Sequence, residues 1–454
     1  MHIHLIGIGG EGMSGLAKLA LSLGHSVSGS ELASKISLSE LRALGADISN
    51  VHSVKNVAGA DLVVRSSGIP MTHDEVVAAR TAGIELIKRS ECLGRLLRTT
   101  GQRVIRIAGS YGKSTTTTML GSILRAAGLD PTIIVGAYVP TWSSHAVIGN
   151  GPYAVVECCE FDRSFHDIPG FWSVVTSIEA DHLDHYTNGI VEITSAFLEF
   201  AGQTDPNGRV LVCVDNANVQ KAFLSFHTRS VQTYGLGGGD WQARTVSVHG
   251  GSHFAVTFLG KEIGTFRIEV PGRHYVQNAL AAVAVARSLG ASSEAIREGL
   301  ENYHGVVRRY ETVLKRPELT VIDDYGHTPL EIRTVLTTIR EQFPNAFLVC
   351  VPCLRQFHRT RRLLSAFVEV LSEADVCVIA PIVRGLGDVD GDTISITHTD
   401  VAAELNKRGT VAYSGDTCEQ VVMAINSVLE VTPGEKVVLT IGSGVSADIW
   451  KGLK

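Results

Sequence analysis

The stretch VIRIAGSYGKSTTTT (residues 104–118) joins an apolar, strand-like run to a segment that favours a helix. The loop between them consists of Gly109, Ser110, Tyr111, Gly112, Lys113, Ser114 and Thr115. In such a loop the backbone N–H groups surround phosphate oxygens, Lys113 reaches the β- and γ-phosphates, and the Ser114 hydroxyl binds Mg2+. The motif departs from a complete P-loop because Ile107 stands where a glycine is expected, five positions before Gly112. The stretch therefore predicts an ATP site with Mg2+ at a strand–helix junction of an α/β domain.

The same alternation of Val/Ile-rich runs and helical segments extends over the whole chain of 454 residues. It is typical of parallel sheets covered by helices, the doubly wound class. Polar stretches at 98–103 and 301–311 predict boundaries, and so three α/β domains over 1–100, 101–306 and 307–454. Residues 230–270 differ, because they indicate short antiparallel strands that leave the middle sheet.

A second glycine loop opens the chain, in IHLIGIGGEGMSGL (residues 3–16). Gly7, Gly9 and Gly12 form GxGxxG after a strand, and Glu31 follows about 20 residues further on. The pattern predicts a diphosphate at a helix N-terminus, although the glycines would also serve merely to close a turn. Taken alone it favours a nicotinamide-dependent oxidoreductase, but a UDP-sugar presents a diphosphate as well.

Acidic residues and histidines follow two strands of the middle domain. They are Glu157, Glu160 and Asp162 after YAVV, and Glu179, Asp181, His182, Asp184 and His185 after WSVVTSI. Because ligands of open α/β sheets lie at the carboxyl ends of strands, we expect both clusters to converge on the P-loop as magnesium ligands. The alternative reading, helix caps and solvated loop residues, suits Asp162 or Asp184 singly.

Composition excludes several classes of protein. A formal net charge of −6 gives no reason to expect nucleic acid or an anionic membrane as partner. Eight scattered cysteines form neither a disulfide framework nor a zinc pattern. With no signal peptide and no apolar run of about 18 residues, the expected location is the cytoplasm. The oligomeric state is not readable from the sequence.

The sequence resembles the Mur ligases of peptidoglycan synthesis over nearly its whole length. The resemblance rests on the two glycine loops and on SSGIP (66–70), KRSECL (88–93), ECCEFDRSF (157–165), TSIEADHLD (176–184), PGRHYVQNALAA (271–282), RRYE (308–311) and DDYGHTP (323–329). It implies a Rossmann-like UDP-sugar domain, a P-loop-type ATPase domain and a Rossmann-like C-terminal domain that closes over the site. It also implies an ATP-dependent ligase that joins UDP-N-acetylmuramate to L-alanine through an acyl phosphate.

The resemblance assigns roles to individual residues. Lys113 would hold the γ-phosphate, while Ser114, Glu157 and His182 would bind magnesium. The residues implied at the reacting centre are Lys113, Glu157, His182, His327 and Arg359. ATP would also contact His274, Asn278, Arg309 and Asp324. The UDP-sugar would lie against Gly7, Gly9, Gly10, Gly12, Ser30, Glu31, Ser66 and Ser67, and the amino acid against Tyr325, Arg355, Gln356 and Arg359.

The amino-acid pocket departs from the family pattern H-R-Y-S-R-T-R, because the His and first Arg are Arg355 and Gln356 here. Arg359 remains as a partner for the incoming carboxylate. The loss of the first arginine of this pattern leaves two alternatives to L-alanine as the acceptor, a different amino acid or a whole peptide. Further departures at Tyr111, Ser177 and Tyr275 motivate another alternative, a catalytically silent binding protein. The basic run 358–362 is interpreted as the start of a site-facing helix, not as a nucleic-acid patch.

Overall fold

The structure is a computed structural model that describes residues 1–33, 36–183, 185–226, 230–247, 250–385, 388 and 396–453. The chain divides into two compact units. The first consists of Met1–Ser247, Gly251–Glu269 and His274–Val306, and the second is mainly Val307–Lys454. Asp184, one of the candidate magnesium ligands, lies outside the described residues.

The first unit begins with a parallel five-stranded sheet in the order β3-β2-β1-β4-β5. Its strands are β1 (His2–Ile6), β2 (Ser26–Ser30), β3 (Asp47–Ser49), β4 (Leu62–Arg65) and β5 (Glu85–Lys88). Its helices are α1 (Glu11–Ser22), α2 (Ile36–Ala43), α3 (Asp74–Thr81) and α4 (Arg89–Thr99). From β1 the chain continues to β2 and β3 on one side of the sheet and then to β4 and β5 on the other. α/β folds bind ligands where the strand order reverses in this way.

The second sheet of this unit has ten strands in the order β15-β14-β13-β12-β11-β10-β6-β9-β7-β8. They are β6 (Arg103–Ala108), β7 (Thr132–Val139), β8 (Ser144–Val147), β9 (Tyr153–Glu157), β10 (Gly170–Val175), β11 (Thr204–Cys213), β12 (Val231–Gly235), β13 (Trp241–Ser247), β14 (Ser252–Phe258) and β15 (Lys261–Ile268). Its helices are α5 (Lys113–Ala126), α6 (Ile190–Gly202), α7 (Ala217–Phe223), α8 (Arg273–Ser288) and α9 (Ser293–Glu301). Three 3-10 helices occupy Val54–Val57, Pro140–Trp142 and Phe161–Asp167.

The two sheets of the first unit share a continuous hydrophobic core that runs from β1 and α1 to β9, β10 and α6. Gly15 of α1 allows a close approach, since a Cβ atom there would lie 3.4 Å from Ile134 and 3.5 Å from Ala146. Lys18 adds a polar tie, with Nζ 2.5 Å from Glu40 and 2.8 Å from the Ser144 hydroxyl. The two glycine loops are therefore carried by sheets that share one hydrophobic core.

The second unit holds a six-stranded sheet in the order β16-β17-β21-β18-β19-β20. Its strands are β16 (Glu311–Arg316), β17 (Leu319–Asp324), β18 (Phe347–Pro352), β19 (Val376–Ile379), β20 (Val411–Ser414) and β21 (Lys436–Ile441). Its helices are α10 (Pro329–Gln342), α11 (Phe357–Arg362), α12 (Leu364–Leu371), α13 (His398–Lys407), α14 (Cys418–Val431) and α15 (Ser446–Trp450). Only β16 runs antiparallel to its neighbour.

The predicted α/β class is confirmed, and the apolar runs quoted above form strands of the first two sheets. One expectation needs correction. The strands at 230–270 are antiparallel from β13 to β15, but β12 pairs in parallel with β11, so the segment extends the middle sheet instead of leaving it. Across the described residues, no helix is long and apolar enough to cross a membrane.

Candidate active site

The P-loop connects β6 to α5 and depends on two glycines. Gly109 has a φ of +145°, and a Cβ atom there would lie 2.0 Å from the Thr176 hydroxyl. Gly112 has a φ of +82°, and its Cβ would lie 2.5 Å from Asn278 Oδ1. A side chain at either position would meet both backbone strain and a steric clash. The loop thus packs directly against the end of β10 and against α8.

Lys113, the first residue of α5, points back into this loop. Its ammonium donates to the carbonyl oxygens of Gly109 and Ser110 and lies 3.0 Å from Glu160 Oε2. Burial works to lower the pKa of Lys113, but the nearby charges, chiefly that of Glu160, raise it above its ordinary value. The lysine is therefore a fixed cation beneath the loop.

Tyr111 of the P-loop and Ser177 after β10, two of the positions that depart from the family pattern, contact each other. The Tyr111 N–H donates to the Ser177 hydroxyl at 2.9 Å, and the Ser177 carbonyl accepts from Ser110 N at 3.1 Å. Asn216 Nδ2 donates to the Tyr111 hydroxyl at 3.2 Å and to Glu179 Oε1 at 2.7 Å. The departures thus form one hydrogen-bonded cluster that holds the loop.

Asn216 was not among the predicted site residues. It lies three residues after β11, as Glu160 lies three residues after β9, so a polar residue shortly after a buried strand was the available signal. Its Oδ1 accepts from Val219 N at 3.0 Å and so caps α7, which fixes the side chain that reaches Tyr111.

Oxygen donors suited to magnesium lie beside the loop. Glu157 ends β9 and accepts from Gly136 N at 2.7 Å, while Ser114 is buried in the first turn of α5. His182 has a left-handed backbone (φ +51°) and lies 3.7 Å from Asp181 Oδ2. The part of the chain that the structure describes contains no preformed group of three His, Cys, Asp or Glu ligands. Ser114 and Glu157 fit the preference of Mg2+ for hard oxygen ligands better than the His182 ring does.

Asp162 serves a different purpose from metal binding in this structure. Its Oδ2 accepts from the Ser67 hydroxyl at 3.0 Å and lies 2.7 Å from Lys88 Nζ. Burial works to raise the pKa of Asp162, but Lys88 and Ser67 lower it below its ordinary value. The carboxylate therefore ties the loops after β4 and β5 to the middle sheet.

The first glycine loop is a tight turn directly before α1. Gly7 has a φ of +74°, and the Gly7 carbonyl accepts from Gly10 N, directly before α1. A Cβ atom at Gly9 would lie 2.9 Å from Glu31 Oε2, and one at Gly12 would lie 3.0 Å from Arg89 Nη1. The glycines therefore leave room for the loop to pass close to charged side chains.

Of the candidate residues Ser30 and Ser66, Ser30 contacts this loop. The Ser30 carbonyl accepts from Gly7 N at 2.8 Å, whereas the Ser30 hydroxyl points to Glu75 at 2.7 Å. Ser66 lies in the turn after β4, where its carbonyl accepts from Ile69 N at 3.1 Å. Ser30 thus supports the loop through its backbone.

Glu75 is the second residue that sequence reasoning missed. It is 0% exposed and accepts from Asn56 Nδ2 at 2.7 Å and Ser53 N at 3.0 Å. Its partners come from three separate segments, at residues 4, 30 and 53–56, so no local pattern marks it.

Two residues of α8 lie near the P-loop. Asn278 is buried against Gly112, and His274 precedes it by one helical turn. Burial lowers the pKa of His274 to about 4, so the imidazole is neutral at pH 7. A neutral ring and an amide suit recognition of an uncharged base edge.

The second unit gathers its predicted residues at the ends of β17 and β18. Asp324 accepts from Gly326 N at 2.6 Å and Tyr310 N at 2.8 Å, and burial raises its pKa to about 6 although Arg309 opposes the shift. The Arg309 guanidinium lies 5.0 Å from the Tyr325 ring centroid. The Tyr325 and His327 rings are 5.6 Å apart.

The altered motif begins α11. Gln356, the N-cap residue of α11, has a left-handed backbone (φ +73°). The backbone of Arg355 forms a β-bridge with that of Val383, and Arg359 is 9% exposed. Asp388 was not predicted from the sequence. Its carboxylate, 0% exposed, accepts from His358 Nδ1 at 2.7 Å and from Phe357 N at 3.2 Å, and so caps α11.

These observations define a class of protein: a phosphate-binding α/β enzyme with a P-loop lysine, acids at strand ends and a second glycine loop on the same scaffold. Comparison with known proteins supports this class and identifies the family. Residues 2–100 match the Mur ligase family, catalytic domain, 107–286 the Mur ligase middle domain, and 308–444 the Mur ligase, glutamate ligase domain. The chain belongs to the Mur ligase family. It is an ATP-dependent acid–amino-acid ligase.

Three relatives are similar over nearly the whole chain. The UDP-N-acetylmuramate–L-alanine ligase of Desulfosudis oleivorans is 37% identical, over 99% of this chain and 96% of the relative. The crystal structure of UDP-N-acetylmuramate–alanine ligase from Thermotoga maritima has 28% identity and a TM-score of 0.83, and covers 100% of this chain and 98% of that one. A murein peptide ligase from Psychrobacter arcticus, 21% identical with a TM-score of 0.71 over 100% and 98% of the two chains, shares the fold.

Proposed function

We propose that the protein joins the carboxylate of UDP-N-acetylmuramate to the amine of L-alanine, with hydrolysis of ATP to ADP and phosphate, in peptidoglycan synthesis. The observation that carries the proposal is the fixed Lys113 ammonium in the P-loop, beside the Glu160 carboxylate that follows β9. The Thermotoga relative, similar over its full length, bears this activity in its name.

The chemistry has two steps. An oxygen of the sugar carboxylate attacks the γ-phosphorus of ATP, the bond to the β-phosphate oxygen breaks, and an acyl phosphate and ADP form. The alanine amine then attacks the activated carbonyl carbon, and phosphate leaves as the amide forms. Lys113 stabilises the charge on the transferring group because its ammonium is already fixed at the loop.

Magnesium would be held by the Ser114 hydroxyl and the Glu157 carboxylate, with His182 and Glu157 at a second ion. When bound, it supplies positive charge to the β- and γ-phosphates. Gly136 N keeps the Glu157 carboxylate at the end of β9.

The other predicted contacts are part of the same proposal. ATP would contact the P-loop backbone and four further residues: His274, Asn278, Arg309 and Asp324. The UDP-sugar would lie at Gly7, Gly9, Gly10, Gly12, Ser30, Glu31, Ser66 and Ser67. For Ser30, the backbone is the part that supports this site. His327, Tyr325, Arg355, Gln356 and Arg359 would surround the reacting amine and its carboxylate.

The choice of L-alanine follows the names of the relatives, and Arg359 supports an amino acid as the acceptor. A guanidinium pairs with an α-carboxylate through two parallel hydrogen bonds, and the enclosed Asp388 holds the helix that carries Arg359. The alternative is another amino acid or a peptide, because Arg355 and Gln356 differ from the family pattern. We further propose action in the cytoplasm, where ATP and UDP-sugars are found, and domains over 1–100, 101–306 and 307–454.

The test is ADP release with UDP-N-acetylmuramate and a panel of L-alanine, glycine, L-serine and the tripeptide. We expect release that requires both substrates and is fastest with L-alanine. Equal release without either substrate would overturn the ligase proposal, and a preference for the tripeptide would reassign the acceptor. Tight binding of NAD without binding of the UDP-sugar would favour the oxidoreductase alternative.

A further inference from the structure

The P-loop lysine is occupied within the protein itself. Its Nζ contacts the carbonyl oxygens of Gly109 and Ser110, the latter at 3.2 Å. The two carboxylate oxygens of Glu160 lie 3.0 and 3.4 Å from the same nitrogen. Because an ammonium has three hydrogens to donate, these partners use its whole capacity.

Glu160 is enclosed more completely than the lysine. Its side chain is 2% exposed and that of Lys113 is 13% exposed. The Glu160 carbonyl accepts from the Tyr186 hydroxyl at 2.6 Å and from Arg163 N at 3.0 Å, so the backbone of this residue is anchored. The carboxylate is held at the loop by its own segment and not only by the lysine.

We propose that Glu160 is a positioning residue: it serves as the counter-ion of Lys113 while the nucleotide site is empty, and the phosphates of ATP replace it as partner of the ammonium. The inference rests on the proposed function, since it takes the P-loop as the ATP site. An enclosed ammonium without a counter-ion is costly, which explains why an acid stands at this position.

The exchange of partners has a measurable consequence. A carboxylate that holds the ammonium competes with the phosphates for the same donors, so it weakens the binding of ATP in the absence of metal. Glu160→Gln keeps the shape of the side chain and removes the competing charge. We expect this variant to bind metal-free ATP about tenfold more tightly than the wild type.

The experiment is a double-mutant cycle on the full-length protein. Calorimetric titration with ATP in EDTA compares the wild type, Glu160→Gln, Lys113→Met and the double variant. Glu199→Gln is the matched control, because it removes the same charge from an exposed position of α6. We expect Glu160→Gln to gain affinity for ATP, and we expect that gain to fall to about twofold or less in the double variant, which lacks Lys113. The affinity of Glu199→Gln should equal that of the wild type.

Two outcomes would overturn the inference. One is no gain in Glu160→Gln, and the other is a gain that persists in full without Lys113, which would indicate simple repulsion between Glu160 and the phosphates. Thermal unfolding checks that each variant is folded. If Glu160→Gln proves unstable, Glu160→Asp is measured instead: because it retains the charge, it should show no gain in affinity for ATP. Failure of the wild type to bind ATP at all would instead count against the proposed function.

Discussion

Replacement of Glu75 by glutamine tests how the first domain is held together. Burial by itself raises the pKa of this carboxyl group, but hydrogen bonds from His4, Ser30, Ser53 and Asn56 lower it from 4.5 to about 2. The folded state therefore binds the proton more weakly than the unfolded chain. The resulting stabilisation is complete above pH 4.5 and is lost as the pH falls through about 2.

The magnitude follows from the size of the shift. At about 1.4 kcal/mol per pH unit, the carboxylate contributes about 3 kcal/mol at neutral pH. Glu75→Gln removes the charge and places an amide NH2 group against donors that need an acceptor. We expect local unfolding of this domain to become easier by about 3 kcal/mol, which corresponds to hydrogen exchange on the order of 100-fold faster.

The assay is hydrogen–deuterium exchange at pH 7, read by mass spectrometry on peptides that cover β1 and α3. Glu85→Gln is the matched control, because its carboxylate is 53% exposed and pairs with Arg95 at 2.8 Å on the surface of the same domain. The control should change exchange by no more than about fivefold. If Glu75→Gln is no faster than Glu85→Gln, the buried carboxylate does not stabilise the domain as argued. The difference between wild type and Glu75→Gln should also narrow as the pH is lowered from 5 to 3.

Three further predictions concern the P-loop and the start of α11. Gly109→Ala should abolish detectable ATP binding in calorimetry, because the new Cβ would clash with the Thr176 hydroxyl. Gly128→Ala is the control: this glycine also has a positive φ but lies in open space, so the ATP affinity should not change. Equal effects of the two substitutions would refute the steric argument. Tyr111→Phe removes one hydrogen bond of about 1 kcal/mol and should raise KM for ATP about fivefold with little change in kcat, and a large fall in kcat would contradict this. Asp388→Asn should raise KM for L-alanine about tenfold in the ADP-release assay, since α11 loses its charged cap, and an unchanged KM would show that the cap does not position the pocket.

Much of the site was readable from local sequence. A GKST run between a strand and a helix predicts a loop at that junction, and the structure has such a loop between β6 and α5, with positive φ at Gly109 and Gly112. The strands that carry the acids were equally readable from their apolar runs. What the local patterns could not tell is the partner of each acid, because the two residues of such a pair are far apart in the chain.

Asp162 and Ser30 illustrate the difference. Asp162 was a candidate ligand because it follows a strand at the expected edge, and Ser30 was one because of the family resemblance. In the structure the Asp162 carboxylate is engaged by Lys88, and the Ser30 hydroxyl is engaged by Glu75. Which way a side chain at a strand end points depends on what packs beside it, and the sequence of one strand does not contain that information.

The sequence by itself determined the α/β class, the two glycine loops and the family, because these depend on residue types at short spacing. Only the tertiary structure decided that Glu160 holds Lys113, that Asn216 holds Tyr111 and that Glu75 anchors the first domain. Those pairings join residues 45 to 105 positions apart. They arise from strand order and register, which bring distant side chains together only once the sheets have formed.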